Sequence, residues 1–366
     1  ARTFSNVTTD QSISATFAPI NYQIRFNANG GSGSMTDQTM AYDQTANLQG
    51  NGFSCAGHTF KGWNTAPDGS GTTYANEQAV TNLTATDGGV ITLYAQWEAN
   101  NMNVTFTDGL GTTLSQGTVK YGQGASAPEE PSRVGYTFTG WDKSYSRIVE
   151  DTIINAKWRA NAYSVGFNAN GGKGSMTDQS FLYDQAQALS SNAFTKTGYT
   201  FTGWNASPSG SSTFYANKQT VSNLTAEDGG KVSLYAQWRA NNYRIIYNAN
   251  TGEGSMDDQT LTYDVVSNLH DNLFEKTGYR FSGWNTKADG SGKTYHNKQA
   301  VLNLVAEEGS EITLYAQWQP VHYSVVFFGN GGIDGNGGVL SAYQKMIFDT
   351  CEELVENIFE REGYTW

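Results

Sequence analysis

The sequence predicts a mostly β fold of the α+β class, built as a tandem array of small modules in an elongated rod. Three observations support this prediction. A segment of the form Gly-x-x-Phe-x-Gly-Trp, followed later by Leu-Tyr-Ala-Gln-Trp, recurs and ends at Trp97, Trp238 and Trp318. The strands that open the repeats are regularly spaced. Glycine accounts for 41 residues and aromatics for 13%, which is typical of a turn-rich β protein with an aromatic core.

The repeat spacing is constant with one exception. Apolar strands open at Tyr22, Met102, Tyr163, Tyr243 and Tyr323, giving intervals of 102−22 = 80, 163−102 = 61, 243−163 = 80 and 323−243 = 80 residues. The predicted modules are 21–98, a shortened module 99–159, 160–239 and 240–319, flanked by 1–20 as the C-terminal part of a preceding repeat and 320–366 as the N-terminal part of an incomplete fifth. We call the whole modules repeats 1 to 4 and residues 320–366 repeat 5.

Repeat 1 begins with two strands and a tight turn. Tyr22, Ile24 and Phe26 alternate with polar residues, a period-two pattern that predicts a half-buried strand. Residues 27–31 read Asn-Ala-Asn-Gly-Gly, and these Asn and Gly residues favour the positive φ of a turn. Residues 35–42 predict the second strand.

A short helix is predicted after the second strand. Asp43, Asp184 and Asp264 each precede a short run that ends in leucine. An aspartate at that place can cap the free N–H groups of a helix start. In repeat 5 the segment 349–363 predicts a longer helix, with a capping box, an apolar stripe and a terminal glycine.

The remaining strands complete a mixed sheet. The Gly-x-x-Phe-x-Gly-Trp segment predicts one strand, residues 74–80 a further short segment, and residues 91–97 the last strand. The order is β-β-α-β-(β)-β, with one helix on the sheet. The tryptophans of the Gly-Trp strand are interpreted as core residues, and exposed sugar-stacking platforms are the alternative. They are Trp63, Trp141, Trp204 and Trp284.

Three recurring motifs carry a resemblance to a known family. The Asn-Ala-Asn-Gly-Gly-x-Gly-Ser-Met turn, the Gly-Tyr-Thr-Phe-x-Gly-Trp strand and the Leu-Tyr-Ala-Gln-Trp ending resemble the internalin B-repeat, or Listeria–Bacteroides repeat, family. The resemblance implies a β-grasp-like fold, a place in large secreted or wall-anchored bacterial proteins, and a role as spacer or adhesive module. It implies no catalytic residues. Repeat 2 departs from the pattern at 106–109 and lacks one loop, and repeat 5 departs at 328–332.

Composition agrees with an extracellular array, and the family resemblance implies the cell surface or cell wall. The net charge is −12, which argues against nucleic acid as a partner because phosphate binding needs clustered Lys and Arg. No segment approaches 18 consecutive apolar residues, so no membrane insertion is expected in this chain. Cys55 and Cys351 lie in different modules and cannot form a disulfide framework within one domain, so stability is expected from burial alone.

No catalytic, cofactor-binding or metal site is predicted, and no cofactor. Asp68 and Asp289 open Asp-Gly-Ser-Gly loops that are calcium candidates, but Ser209 replaces the aspartate in repeat 3 and calcium needs six or more oxygen ligands. The histidines lack the spacing of metal ligands. They are His58, His270, His296 and His322.

Two asparagines stand in Asn-Leu-Thr sequons. Asn82 and Asn223 are candidates for N-glycosylation, whereas the equivalent Asn303 lies in Asn-Leu-Val. Because the asparagine persists when the sequon does not, a turn residue is the preferred interpretation.

Two function classes remain, and an enzyme is not expected. The first is a structural stalk or filament of a large bacterial surface or secreted protein, whose partners are adjacent repeats or neighbouring copies of the same protein. The alternative is a set of adhesin modules that bind a host or matrix ligand, glycan or protein, through variable loops.

The chain ends lead to a further expectation. Repeat 5 stops before its Gly-Trp strand, and residues 1–20 match the missing piece in register. Val7, Ile13 and Phe17 are expected to supply an apolar strand face to a neighbouring repeat. That neighbour is either a second copy, in head-to-tail assembly, or part of the same long polypeptide.

Overall fold

The computed structural model describes residues 3, 5–337 and 341–365, and all regular secondary structure within them is β. The chain divides into two compact units, residues 1–159 and 160–366. The first contains repeats 1 and 2, and the second contains repeats 3 to 5. Among the described residues no helix is long and apolar enough to cross a membrane.

Repeat 1 forms a five-stranded mixed sheet with a small satellite sheet. Its strands are β1 (Asn21–Asn27), β2 (Gln38–Ala41), β3 (Ala46–Asn47), β4 (His58–Asn64), β5 (Thr73–Tyr74), β6 (Ala79–Val80) and β7 (Val90–Ala99). The sheet order is β2-β1-β7-β4-β5, and β3 pairs with β6. The first strand β1 and the last strand β7 run parallel at the centre, and their partners β2 and β4 are antiparallel to them. The core lies on one face, where Tyr22, Ile24, Leu93 and Ala95 are fully buried.

Repeat 2 keeps a four-stranded version of this sheet. Its strands are β8 (Asn101–Thr107), β9 (Thr113–Lys120), β10 (Tyr136–Trp141) and β11 (Thr152–Ala160). The order is β10-β11-β8-β9, with β8 and β11 again parallel at the centre. The small satellite sheet has no counterpart among the strands described for this repeat. Its core is correspondingly small and centres on Val104, Phe106, Ile148 and Ile154.

Repeats 3 and 4 reproduce the five-stranded sheet and its satellite. The strands of repeat 3 are β12 (Ala162–Asn168), β13 (Gln179–Leu182), β14 (Gln187–Ala188), β15 (Tyr199–Asn205), β16 (Phe214–Tyr215), β17 (Thr220–Val221) and β18 (Lys231–Ala240). Those of repeat 4 are β19 (Asn242–Asn248), β20 (Gln259–Thr262), β21 (Ser267–Asn268), β22 (Tyr279–Asn285), β23 (Thr294–Tyr295), β24 (Ala300–Val301) and β25 (Glu311–Pro320). Repeat 5 contributes β26 (His322–Phe328), β27 (Ile333–Asp334), β28 (Ser341–Ile347) and β29 (Phe359–Glu360).

The glycine before each core tryptophan occupies a β-bulge. The register of β4 against β7 shifts between Phe60 and Gly62, and Gly62 has a φ of 136°. A Cβ there would lie 2.6 Å from the Tyr74 carbonyl oxygen, so only glycine fits. The bulge is followed by Trp63, which is fully buried, as are Trp204 and Trp284. The core interpretation is confirmed for these three residues, whereas Trp141 is half-buried.

The closing tryptophans tie the last strand to the first turn. Trp97 Nε1 donates to the Ala28 carbonyl oxygen at 2.8 Å, and its ring packs edge-on against Phe60 at 5.5 Å. The turn at residues 27–31 is confirmed, because Asn29 has a φ of 48°. Asn29 Nδ2 also donates to the Ala95 carbonyl oxygen at 2.9 Å. The recurring turn and the recurring tryptophan are therefore two parts of one contact.

The predicted helices were wrong. Residues 43–48, 184–189 and 264–269 form a turn and a short strand, and the described residues 349–363 contain no helix. Asp43 has a φ of 67°, which is left-handed and excludes an N-cap conformation. Its N–H donates to Asn82 Oδ1 at 2.6 Å, and Asn82 Nδ2 donates to Asp43 Oδ1 at 2.8 Å. The aspartate thus binds an asparagine 39 residues away instead of capping the next turn.

Candidate functional site at the repeat junctions

A single residue connects consecutive repeats at three junctions. Asn100 follows β7, Asn241 follows β18 and Val321 follows β25, and we call these positions junctions 1–2, 3–4 and 4–5. At junction 3–4 the Asn241 N–H donates to the Gly198 carbonyl oxygen of repeat 3 at 2.9 Å. Its own carbonyl oxygen accepts from the Tyr263 N–H of repeat 4 at 2.8 Å. The connection is therefore bonded to both repeats.

The same backbone bonds occur at the other two junctions. Asn100 bonds Gly57 and Tyr121 at 2.9 and 2.8 Å, and Val321 bonds Gly278 and Phe348 at 2.9 and 3.0 Å. This geometry leaves the connection little freedom to bend, because the strands on either side extend to within one residue of each other.

An aromatic ring of the following repeat lies directly over the junction glycine. A Cβ on Gly198 would lie 2.2 Å from the Tyr263 ring, and Gly198 has a φ of 76°. Both conditions select glycine, because a side chain would displace the ring and strain the backbone. Gly57 lies under Tyr121 and Gly278 under Phe348 in the same way.

A tyrosine–aspartate hydrogen bond adds a side-chain contact across two of the junctions. Tyr199 of repeat 3 donates its hydroxyl to Asp264 Oδ2 of repeat 4 at 2.8 Å. The Tyr199 ring packs edge-on against Tyr263, with ring centroids 6.0 Å apart, and Lys196 Nζ lies 4.0 Å from the Tyr199 ring centroid. At junction 4–5 the hydroxyl of Tyr279 donates to Asp349 Oδ2 at 2.8 Å. We call this contact the Tyr–Asp pair.

The connecting asparagine at junction 3–4 is itself buried and fully bonded. Asn241 is 6% exposed. Its Oδ1 accepts from Thr200 Oγ1 at 2.6 Å, and its Nδ2 donates to the Ala306 carbonyl oxygen at 2.7 Å. Thr200 belongs to repeat 3 and Ala306 to repeat 4, so one amide joins both. A buried amide with satisfied hydrogen bonds fixes geometry, because leaving it unpaired is costly.

The electrostatics of the Tyr–Asp pair follow from its neighbours. The amide of Asn303, the hydroxyl of Tyr199 and the charge of Lys196 lower the pKa of Asp264. In return, the hydrogen bond to the Asp264 carboxylate raises the pKa of Tyr199. Both side chains are solvent-accessible, so water screens the interaction and its main effect is to orient the two repeats.

Junction 1–2 lacks the Tyr–Asp pair. His58 stands where Tyr199 and Tyr279 stand, and Gly122 replaces the aspartate. The His58 ring packs edge-on against Tyr121 at 5.7 Å, and its Nδ1 lies 2.8 Å from the Ala56 carbonyl oxygen of its own repeat. The side-chain polar contacts at this junction are exposed: Lys120 Nζ lies 3.4 Å from Glu98 Oε1 and donates to the Ala99 carbonyl oxygen at 3.0 Å. Thr59 Oγ1 also donates to Asn100 Oδ1 at 2.6 Å. Exposed ion pairs of flexible side chains constrain orientation weakly.

The aspartates that were calcium candidates accept hydrogen bonds from residues of their own loops. Asp68 Oδ1 accepts from the Ser70 N–H at 3.0 Å and from Ser70 Oγ at 2.6 Å. These bonds lower the pKa of Asp68. Asp289 accepts from the Ser291 N–H at 2.9 Å in the same way. Within residues 3, 5–337 and 341–365, no three His, Cys, Asp or Glu side chains come together as a potential metal site.

The sequon asparagines and the cysteines also have local explanations. Asn82, Asn223 and Asn303 have φ values of 53°, 54° and 55°, so the turn interpretation is confirmed. Each binds the aspartate that follows its repeat's second strand. Cys55 is half-buried and Cys351 is exposed, and both are free thiols.

The sequence matches one family model four times. The model is that of the Listeria-Bacteroides repeat domain, and the matched residues are 22–96, 103–152, 163–237 and 243–317. The match therefore covers most of the chain and includes the shortened repeat 2.

Longer bacterial proteins are similar in sequence to this chain. A protein of Evansella cellulosilytica named "Putative Gly-rich membrane protein" is 29% identical over 346 residues, which is 88% of this chain and 36% of that protein. A second protein of that organism, named "Putative membrane protein", is 30% identical over 282 residues, 72% of this chain and 38% of its own length. Internalin H of Listeria monocytogenes is 30% identical over 154 residues, 38% of this chain and 25% of internalin H. This chain thus spans little more than a third of the first two relatives, and it belongs to the Listeria–Bacteroides repeat domain family.

Proposed function

We propose that this chain is a non-catalytic structural segment, a stalk, of a large bacterial cell-surface or secreted protein. The junction geometry is the observation that carries the proposal. One connecting residue is bonded to both repeats, and an aromatic ring of the next repeat is seated on a glycine of the preceding one. Contacts of this kind fix the direction in which each repeat follows the last, as a spacer requires.

The relatives support a location outside the cell. Internalin H and the two Evansella membrane proteins carry similar repeats. The acidic composition and the dependence on burial instead of disulfides are compatible with this location. We also infer that each full repeat is a helix-free relative of the β-grasp fold, since its first and last strands pair in parallel at the centre of a mixed sheet.

Small-angle X-ray scattering of the purified chain tests the stalk proposal. Five units in a row, each about 30 Å across, are expected to reach a maximum dimension on the order of 150 Å. A single globule of this length has a radius of gyration of about 21 Å. A measured radius near the globule value contradicts the proposal, and a clearly larger radius with a rod-like distance distribution supports it.

An adhesin function is the second candidate, and the loop after β4 favours it. Asn64 is 1% exposed and closes this loop: its Nδ2 donates to the Gly69 and Gly71 carbonyl oxygens, and its Oδ1 accepts from the Ala66 N–H. Asn205 and Asn285 do the same. The buried asparagine at the base of this loop is the same in the three repeats, whereas the exposed residues of the loop differ. This arrangement suits variable binding loops.

A binding screen separates this candidate from the stalk. The chain is tested against glycan and matrix-protein arrays, with a chain carrying the 206–213 loop in place of 286–293 as the matched control. Saturable binding that changes with the loop supports an adhesin. Binding to none of the arrayed ligands leaves the structural function alone.

Adjacent repeats are the proposed partners of the exposed apolar segments. Residues 5–20 form no strand, and Ile13 and Phe17 are 64% and 90% exposed. Phe328 of β26 is also exposed, so both segments offer apolar surface to a neighbouring repeat. Sedimentation over a concentration series distinguishes the two sources of that neighbour. Polymers that disappear when residues 1–20 are deleted indicate a second copy, and monomers throughout indicate the same polypeptide.

A further inference from the structure

In each whole repeat the two central parallel strands are the strand by which the chain enters the repeat and the strand by which it leaves. In repeat 1 the chain enters at the start of β1 and leaves at the end of β7. These strands are neighbours and run in the same direction, with Gln23 opposite Val90 and Asn27 opposite Tyr94. Tension along the chain therefore pulls β1 and β7 in opposite directions along their own axes.

We infer that repeats 1, 3 and 4 are load-bearing units and that repeat 2 is the first of the four whole repeats to open under tension. The inference rests on the proposed stalk function. When two strands slide past each other, all hydrogen bonds between them share the load and must break together. Strands that are peeled apart from one end lose their bonds one at a time, at lower force.

The three full repeats have equivalent parallel pairs. Five registered residue pairs join β1 to β7, β12 to β18 and β19 to β25. A further backbone bond lies at the entry of each pair, from the N–H of Gln23 to Gly89, of Ser164 to Gly230 and of Arg244 to Ser310, at 2.8, 2.9 and 2.9 Å. Sliding of the strands thus disrupts the ladder and the entry bond in one event.

Repeat 2 resists the same motion less. Only four registered pairs join β8 to β11, from Val104 opposite Thr152 to Thr107 opposite Asn155. The entry bond goes from the Asn103 N–H to the exposed side chain of Asp151, at 2.7 Å, instead of to a backbone carbonyl. Its hydrophobic cluster contains four buried residues, compared with ten, nine and eleven in repeats 1, 3 and 4.

The connections transmit tension without slack. β7 is separated from β8 by Asn100 alone, and β18 from β19 by Asn241 alone. A pull on the last strand of one repeat is therefore delivered to the first strand of the next. Repeat 5 has no parallel pair among its described strands and is expected to extend at low force.

Single-molecule force–extension of the full chain, held at its two ends, tests the inference. The length of each extension step shows whether the shortened repeat or a full repeat has opened. A stretch of 61 residues extends to about 210 Å and one of 80 residues to about 280 Å, before the folded length is subtracted. The expected record shows one short step, followed at higher force by three long steps. A short step that comes after any long one, or long steps at forces no higher than the short one, overturns the inference.

A substitution in repeat 3 identifies the parallel pair as the source of resistance. Ser164→Pro removes the N–H that donates to Gly230, and Ser164→Ala keeps it. One of the three long steps is expected to move to lower force with proline and to remain in place with alanine. If proline prevents repeat 3 from folding, two long steps remain. The order of steps in the unaltered chain then decides whether repeat 2 opens before the full repeats. A chain that is extended by scattering but opens in another order refutes only this inference, whereas a compact chain refutes the stalk itself.

Discussion

Repeat 2 and repeat 3 differ by 80−61 = 19 residues of spacing and show which contacts the fold keeps. Both retain the central parallel pair. Both also retain the closing tryptophan, whose Nε1 donates to the Asp108 carbonyl oxygen at 2.7 Å in repeat 2 and to the Ala169 carbonyl oxygen at 2.9 Å in repeat 3. Repeat 2 lacks the loop that follows the Gly-Trp strand in repeat 3, and among its described strands it lacks the satellite sheet, whose strand β14 precedes the Gly-Trp strand and whose strand β17 follows it. The parallel pair and the closing tryptophan are therefore the minimum that defines the sheet.

The residues in and around the satellite sheet contribute to the burial of the central tryptophan. In repeat 3, Leu189, Phe194 and Val221 pack in the cluster around Trp204, which is fully buried. In repeat 2 the equivalent Trp141 is only half-buried. The satellite sheet thus adds core around an existing framework, and the two repeats are expected to differ in stability more than in backbone path.

The largest expected effect is the loss of the buried tryptophan. Trp204→Ala should lower the free energy of unfolding of repeat 3 by about 3–5 kcal/mol, because it removes a large buried side chain and leaves a cavity. The matched Trp141→Ala should cost repeat 2 less. Hydrogen exchange followed by mass spectrometry, with peptides from 160–239 and 99–159 read separately, gives both values. Equal losses of unfolding free energy in the two repeats would contradict the expectation that the central tryptophan contributes more to repeat 3 than to repeat 2.

The junctions between neighbouring repeats also differ between the two halves of the chain. Junction 3–4 has the Tyr–Asp pair, whereas junction 1–2 has His58 and Gly122 in the corresponding places. The connecting asparagine is present at both junctions, but Asn241 is buried and Asn100 is only half-buried. We expect repeats 3 and 4 to hold a narrower range of relative orientations than repeats 1 and 2.

Transplanting the pair sharpens this expectation. His58→Tyr with Gly122→Asp should build a Tyr–Asp pair at junction 1–2 and narrow its range of orientations. Gly122 has a φ of 80° and open space at the Cβ position, and the natural aspartates at this place have φ values of 59–67°. His58→Phe with Gly122→Asp is the control, since it supplies the ring without the hydroxyl. If both double variants behave alike in spin-label distance measurements, the hydroxyl bond contributes nothing.

Removing the hydroxyl at junction 3–4 is expected to have a smaller effect. Tyr199→Phe deletes the donor to Asp264 and leaves the ring on Tyr263 and the backbone bonds of Asn241 in place. Hydrogen exchange should accelerate at residues 262–265 and remain unchanged at the core strand β18. An equal acceleration in Tyr235→Phe, at a tyrosine with no described bond across the junction, would show that the effect is not specific.

Lowering the pH is expected to produce the smallest change in hydrogen exchange at junction 3–4, and that change should be an increase. Because the pKa of Asp264 is lowered in the folded chain, its contribution is present above the usual aspartate pKa of about 3.9 and is lost as pH falls through the lowered value. Exchange at residues 262–265 should therefore rise relative to an unstructured reference below about pH 4. Asp264→Asn should remove this pH dependence, and a dependence that persists in that variant assigns it to another group.

The strands and the core were predictable from sequence because their determinants are local. The alternation of Tyr22, Ile24 and Phe26 predicted the first strand correctly, and the recurring Gly-Trp predicted three of the four core tryptophans, with Trp141 only half-buried. The helix prediction failed because a cap and a long-range turn use the same residue type. Nothing near Asp43 shows that its partner is Asn82, 39 residues later.

The junction contacts could have been found from a different signal. Tyr199 and Asp264 are 65 residues apart, so neither identifies the other by spacing within one repeat. Comparison between repeats is informative, however, because the tyrosine and the aspartate are lost together at His58 and Gly122. The buried contact of Asn241 with Ala306 has no such signature, since its partner is a backbone carbonyl.

The central claim is that the one-residue connections hold neighbouring repeats in fixed orientation. Double electron–electron resonance tests it most directly, with spin labels at the exposed positions Thr202 and Ser282, one in repeat 3 and one in repeat 4, after Cys55 and Cys351 are changed to serine. Lys61 and Thr139 give the matching pair across junction 1–2. A single narrow distance distribution is expected across junction 3–4 and a broader one across junction 1–2. A broad or multiple distribution across junction 3–4 would contradict it.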